Sequence, residues 1–183
     1  MQKIEVVSYQ EEWPKLYLKE KNNIKLFLKN DLIKMEHIGS TSVPGLAAKP
    51  IIDILLIVKD IDGLDDFSSD FNKLGYEVMG EFGIAGRRYF RKGGDFRTHQ
   101  IHAFQHDDIY NIERHLSFRD FLRAHNDISK KYGDLKKHIA LKLNIDIESY
   151  NDEKDSFVKE YEKKALIWYW KHRNVGGRNS NDD

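Results

Sequence analysis

The sequence predicts an α+β domain: a mixed β-sheet with interleaved helices, then a helical run, with the helices largely on one side of the sheet. Three observations lead there. Short apolar runs at 32–38 and 51–58 have strand length and flank a loop that carries Pro44 and Pro50. Three more strand candidates follow between residues 76 and 105. After residue 108 the apolar spacing turns helical. The 183 residues suit one domain, assigned to 1–173, with enough chain to bury a core. Residues 174–183, Asn-Val-Gly-Gly-Arg-Asn-Ser-Asn-Asp-Asp, have the composition of a disordered tail.

Taken in order, Lys3–Val7 has the content of a short strand. Gln10–Lys29 reads as a helix: Pro14 is tolerated in the first turn, and Trp13, Leu16, Tyr17, Ile24 and Leu28 form an apolar stripe. Leu32–Ile38 is a strand of mixed polarity, Gly39–Lys49 a loop, and Ile51–Val58 a strand. Asp60–Leu74 is a helix closed by Gly75. Tyr76–Gly80, Arg87–Lys92 and Thr98–Gln105 are strands, the last two separated by the turn Gly93-Gly94-Asp95. Ile109–His125, Asp127–Leu143 and Asp152–His172 are helices. The last ends in Trp168, Tyr169 and Trp170, read as core or interface, which leaves a homodimer open.

Composition narrows the function classes. Hydrophobic residues at 40% and charged residues at 33% are the composition of a soluble protein. No apolar run reaches the length of a membrane span, and the start of the chain lacks the apolar core of a secretory signal. Cysteine is absent, which excludes disulfides and thiolate chemistry and agrees with a cytoplasmic protein. Lysine plus arginine equals aspartate plus glutamate at 30 each, so no bulk field draws nucleic acid or lipid. A bound polyanion must be gripped by a local cluster.

Asp53 is the leading candidate for chemistry. Side chains alternate along a strand, so Ile51, Asp53, Leu55 and Ile57 share one face and Ile52, Ile54, Leu56 and Val58 the other. A carboxylate in a strand that is apolar on both faces is costly to bury alone. Two readings stand: an acid paired with Lys49, an arginine or loop backbone, or a ligand for a hard divalent cation. Upstream, Gly39, Ser40, Thr41 and Ser42 offer three hydroxyls and a glycine, a plain helix cap or a phosphate-binding turn. A P-loop is excluded, because Lys49 falls four residues past Gly45 and Pro50 opens a strand rather than a helix.

Lys49, Arg87, Arg88, Arg91 and Arg97 are candidates for phosphate oxygens. Arg87 and Arg88 are adjacent on a strand, so only one can face a site. His99, His102 and His106 invite a metal reading, but strand alternation sends His99 and His102 to opposite faces. His102, between Ile101 and Ala103, is kept as ligand or proton shuttle, and His37 as a contact of the turn. Arg119, Asp120 and Arg123 can face a cleft or pair among themselves.

The stretch from His37 through Ile-Gly-Ser-Thr-Ser-Val-Pro-Gly-Leu-Ala-Ala-Lys-Pro-Ile-Ile to Asp53 closely resembles the signature of the GrpB family. Arg88-Tyr-Phe-Arg-Lys, His99-Gln-Ile-His102, Phe118-Arg-Asp-Phe-Leu-Arg123 and Tyr132-Gly-Asp-Leu-Lys136 resemble that family's other landmarks, in the same order. The resemblance implies membership of the nucleotidyltransferase superfamily, whose fold is a small mixed β-sheet flanked by helices. There a Gly-Ser turn holds nucleotide phosphates, and two carboxylates one residue apart on the next strand bind divalent metal. By resemblance Gly39 and Ser40 form the turn and Asp53 is the first carboxylate. The second position is Leu55, a departure, and His102 lies where a later-strand ligand falls.

Two readings follow. In the first the chain is a metal-dependent nucleotidyltransferase that moves a nucleoside monophosphate from NTP onto a hydroxyl or amine of a small-molecule acceptor. Asp53 and His102 would be catalytic and hold Mg²⁺ (or Mn²⁺). Gly39, Ser40 and Thr41 would cradle the phosphates, and Lys49, Arg88 and Arg91 would offset their charge. In the second it is a non-catalytic nucleotide- or phosphometabolite-binding module, with Leu55 the feature in its favour. A single-metal hydrolase built on the three histidines is the weakest alternative.

Overall fold

A computed structural model describes residues 4–142 and 146–172. The expected tail at 174–183 lies outside them, as do Lys3 and Leu143 at the ends of two expected elements. The elements are α1 (Trp13–Leu28), β1 (Leu32–Ile38), β2 (Ile52–Val58), α2 (Ser68–Lys73), β3 (Tyr76–Val78), β4 (Arg88–Lys92), β5 (His99–Gln105), α3 (Ile109–Ala124), α4 (Asn126–Ala140) and α5 (Ile147–His172). Five strands form one sheet in the order β1-β2-β5-β4-β3. Only the central β2–β5 pair is parallel, so the sheet is mixed, as the sequence predicts.

The alternation in β2 decides where the helices go. Ile52, Ile54, Leu56 and Val58 pack with Trp13, Tyr17, Ile24 and Leu28 of α1 and Phe71 of α2. Leu55 and Ile57 pack with Ile38, Phe104 and Ile112 of α3. Helices therefore cover both faces, not chiefly one as expected, because a strand apolar on both sides needs cover on both.

Other differences are local. The expected strand at Lys3–Val7 reduces to one bridge, Val7 to Ala48. The expected helix Asp60–Leu74 is split into a 3₁₀ turn at Gly63–Phe67 and the short α2, consistent with the poor helix propensity of Gly63 and its neighbouring aspartates. In α1, Leu16 is left outside the core at 43% exposure, and Glu20 takes a buried place instead. Helix α5 begins at Ile147 rather than Asp152. Asp146 Oδ1 accepts from the Ser149 amide at 2.8 Å, which caps its first turn, and Tyr150 is buried there.

Helix α4 lies directly on the loop after β1. A Cβ at Gly133 would stand 3.3 Å from Leu46 Cδ1 and 3.6 Å from the Ala47 amide nitrogen. The glycine thus permits a close helix–loop approach, and one turn further on Lys136 descends into the space beside β1 and β2.

Candidate functional site

A cavity of about 480 Å³ opens where β1 ends and β2 begins. Register places Ile38 opposite Asp53, so the chain leaves β1 and turns at Gly39 directly over that carboxylate. Gly39 has φ 68° and ψ −173°, backbone that only glycine adopts readily. A short 3₁₀ turn, Ser40–Ser42, follows. It is braced from behind. Ser42 Oγ donates to the Gly39 carbonyl at 2.6 Å, and Arg123 donates twice to the Ser42 carbonyl, at 3.0 and 2.7 Å. Thr41 Oγ1 donates to the Ile51 carbonyl and accepts from His37 Nε2 at 3.0 Å, while the His37 ring stacks on Tyr17.

Asp53 forms the floor, its side chain 26% exposed. Its neighbour across the parallel β2–β5 pair is Gln100. In the amide orientation that satisfies both ends, Gln100 donates to Asp53 Oδ1 at 3.0 Å and accepts from Arg97 Nη1 at 3.1 Å. Asp53 is the one carboxylate among the described lining residues, against Lys49, Arg91, Arg97, Lys136 and Lys154. Lys136 is 2% exposed, donates to Ser40 Oγ at 2.7 Å and lies 4.3 Å over the Tyr132 ring. The ammonium groups of Lys49 and Lys154 lie over the buried Tyr150 ring, at 4.8 and 5.3 Å from its centre. Arg97 Nε is buried with no hydrogen-bond partner among the described residues.

Burial dominates the titration of this set. It pushes Asp53 up to about 6 against the pull of Lys49, Lys154, Lys136 and Arg97. It brings Lys49 down to about 8, helped by the charge of Lys154 and opposed by Asp53. Lys136 is held well below the ordinary lysine range by burial and then by Lys154. Because the folded state keeps the Asp53 proton to higher pH than the unfolded chain, this group's contribution to stability falls as pH rises from 3.8 to about 6.

Sulfate, whose charge is constant over this range, is expected to bind more weakly as pH rises through about 6, where Asp53 ionises, and again through about 8, where Lys49 loses its proton. Titration calorimetry should show at least a roughly ten-fold loss between pH 5 and pH 9, the effect of one charge interaction. A flat profile would contradict the assignment.

His102 stands behind Asp53, its Nε2 4.0 Å from Asp53 Oδ1. Arg87 Nη1 faces His102 Nδ1 at 3.4 Å. Arginine only donates, so Nδ1 is the acceptor and the ring proton sits on Nε2, toward Asp53. Burial, then Arg87 and Arg114, drive His102 down to about 3, so the ring is neutral. Arg87 is itself fixed by the Glu81 and Phe82 carbonyls, at 3.1 and 2.5 Å.

The structure brings Gly39, Ser40, Thr41, Lys49, Asp53, Arg91 and His102 to one cavity. Two of these are committed elsewhere: the Thr41 hydroxyl as described, and Arg91, which donates to Glu77 at 2.8 and 2.9 Å. Arg88 is a correction. Strand phase turns it to the opposite face, where it bonds Asp62 at 2.8 Å and Asp65 at 2.8 and 2.9 Å, and Arg87 takes the site-facing position. His99 lies on the α1 face and His106 in an exposed turn, so the three histidines do not converge. Arg119 bonds Glu36 at 2.8 Å and Asp120 at 2.7 Å, bracing β1. Sequence reasoning passed over Lys136, Lys154, Gln100, Tyr150 and His115 as site residues, although Lys136 closes one of the quoted landmarks.

The divalent cation that the fold family implies has no matching donor set here. Leu55 is fully buried beneath Ile38, Phe104 and Ile112. Glu36, opposite Leu55 on β1, is held by Lys34 and Arg119, both at 2.8 Å. The proton on His102 Nε2 occupies the lone pair a metal would need. Among the described residues, no group of three or more His, Asp or Glu side chains could hold a metal.

Residues 3–164 match the family model described as GrpB protein. The chain is 43% identical over 175 residues to the UPF0157 protein YqkA of Bacillus subtilis, a match covering 96% of this chain and 51% of that protein, so it spans about half the length of that relative. It is 48% identical to the conserved protein GrpB from Enterococcus faecalis, whose crystal structure superposes with a TM-score of 0.88 over 91% of this chain and 99% of that one. A crystal structure of the Cid1 poly(U) polymerase superposes with a TM-score of 0.52 at 13% identity, covering 74% of this chain and 43% of Cid1. That likeness is one of fold, and it places the sheet and helices in the nucleotidyltransferase-like class. No helix among the described residues is long and apolar enough to cross a membrane.

Proposed function

The chain belongs to the GrpB family, and we propose that its cavity binds a nucleotide or another phosphorylated metabolite through its phosphates. One observation carries this reading: Lys49, Lys136, Lys154 and Arg97 converge on a cavity with a single carboxylate, and Arg97 keeps an unpartnered donor there. Partly or wholly buried lysines whose charged forms repel one another are relieved by an anion that accepts from several of them at once. Gly39, Ser40 and Thr41 of the turn line the same cavity. The absence of cysteine and the abundance of nucleotides in the cytoplasm fit a cytoplasmic protein.

A second reading, transfer of a nucleoside monophosphate from NTP to a hydroxyl or amine, is favoured by the position of Asp53. Burial raises its pKa to about 6 beside the Gly39–Ser40 turn, in a fold shared with a polymerase. Asp53 would then accept the proton of the acceptor's hydroxyl or amine as that oxygen or nitrogen bonds the α-phosphorus and pyrophosphate leaves, while the lysines offset charge on the phosphates.

Calorimetry with ATP, GTP, CTP, UTP and pyrophosphate tests the first reading, and Lys136→Met is expected to weaken binding by roughly ten- to a hundred-fold, as loss of a charge-assisted hydrogen bond implies. No binding by the wild-type chain, or equal binding by the variant, would overturn it. Label from α-phosphate-labelled NTP appearing on an acceptor, and lost in Asp53→Asn, would establish the second.

A further inference from the structure

We infer that Lys49, Lys136 and Lys154 stand in for the divalent cation of this fold class, so that the cavity takes a di- or triphosphate as the metal-free anion. The inference rests on the phosphate-binding reading and goes further, since it fixes the form in which the ligand enters.

Beside Asp53, each further place where a metal ligand belongs is closed by a separate interaction. The position two residues after Asp53 is Leu55, sealed under α3. The carboxylate nearest to it across the sheet, Glu36, is saturated by Lys34 and Arg119. His102 presents a proton rather than a lone pair to Asp53, because Arg87 occupies its other nitrogen. Ser40 Oγ, a hydroxyl of the turn that lines the cavity, already accepts from Lys136 at 2.7 Å.

Positive charge fills the space instead. Lys136, buried between Ser40 and Tyr132, descends from α4, and Lys154 and Lys49 reach in over Tyr150 from α5 and the loop before β2. All three act on Asp53 as its principal positive neighbours. A dication placed there would meet one carboxylate and several ammonium groups. A polyphosphate would meet those same groups as hydrogen-bond donors, together with the unpartnered Arg97 Nε. A polyphosphate already chelated by Mg²⁺ presents fewer free oxygens and carries two fewer negative charges, so it fits this wall less well.

Titration calorimetry of the full chain with inorganic tripolyphosphate, in EDTA and in excess Mg²⁺, decides the matter. Binding in EDTA that weakens about ten-fold or more when the probe is its Mg²⁺ complex is the expected result. Binding that requires Mg²⁺, or is tightened by it, overturns the inference while leaving a phosphate site intact. No binding in either buffer overturns the phosphate reading and this inference with it. Two variants read the charge directly. Lys154→Gln should weaken metal-free binding about ten-fold and narrow the gap between the two buffers. Lys154→Glu, which adds a second carboxylate near Asp53, should bind tripolyphosphate better with Mn²⁺ than with EDTA. Variants with unaltered melting temperature but the wild-type ratio between buffers would remove the lysines from this role.

Discussion

Gly39→Ala is expected to abolish anion binding and to cost roughly 2–4 kcal/mol of stability, combining backbone strain with overpacking. An added Cβ would stand 2.5 Å from Asp53 Oδ2 and 3.0 Å from both Asp53 Cβ and Cγ. Neither side can yield freely. Asp53 is fixed in β2 and tied to Gln100, and the turn is held by Ser42 Oγ and Arg123. Gly45 is the control: its φ is 79°, but nothing lies within 4 Å of the position a Cβ would take. Gly45→Ala should therefore show only the strain of a left-handed backbone, about 1 kcal/mol, with binding retained. Urea melts and sulfate titration of both variants check this, and a Gly39→Ala chain that binds normally would break the link between turn and carboxylate.

The largest effect on stability away from the cavity is expected at Lys92→Met. On the α1 face of the sheet, Lys92 Nζ sits 2.9 Å from Glu20 Oε1, and the Glu20 side chain is only 4% exposed. Removing the lysine strands a buried carboxylate, which costs about 3–5 kcal/mol. Pairing the change with Glu20→Gln should recover much of it, because the double variant buries no lone charge. Thermal melts of the two singles and the double measure the coupling. If Lys92→Met alone melts like wild type, the pair contributes nothing.

The sequence is informative where chemistry and spacing are local. The turn at Gly39–Ser40 and Asp53 are adjacent in space because β1 and β2, consecutive strands joined by the loop at 39–51, are an antiparallel pair. The two-sided burial of β2 follows from its near-continuous apolar run. By contrast, Arg87 and Arg88 differ only in strand phase, and no local pattern says which face the site will occupy. Leu16 was expected in the apolar stripe of α1 and is exposed instead, while the burial of Glu20 has a tertiary reason, its pairing with Lys92 on a strand far along the chain.

The cationic wall was the least legible part. Lys136 and Lys154 are ordinary lysines on helical segments until α4 and α5 fold back over the sheet. The one local clue was Gly133 inside a helix, where a residue with poor helix propensity usually serves close packing. Nor does a pattern of residue types reveal that Arg87 has set the tautomer of His102, since that depends on a contact between β5 and the segment before β4.

The hydrogen bond from Lys136 to Ser40 joins residues 96 positions apart. A recess assembled from such remote pieces does not exist in the denatured ensemble, so whatever fills it binds the native chain alone. Occupancy and folding then share one equilibrium: a solute present at a hundred times its dissociation constant would add about 2.7 kcal/mol to the native state's margin. The abundance of the ligand in the cell would in that way help to set how much of this protein survives turnover.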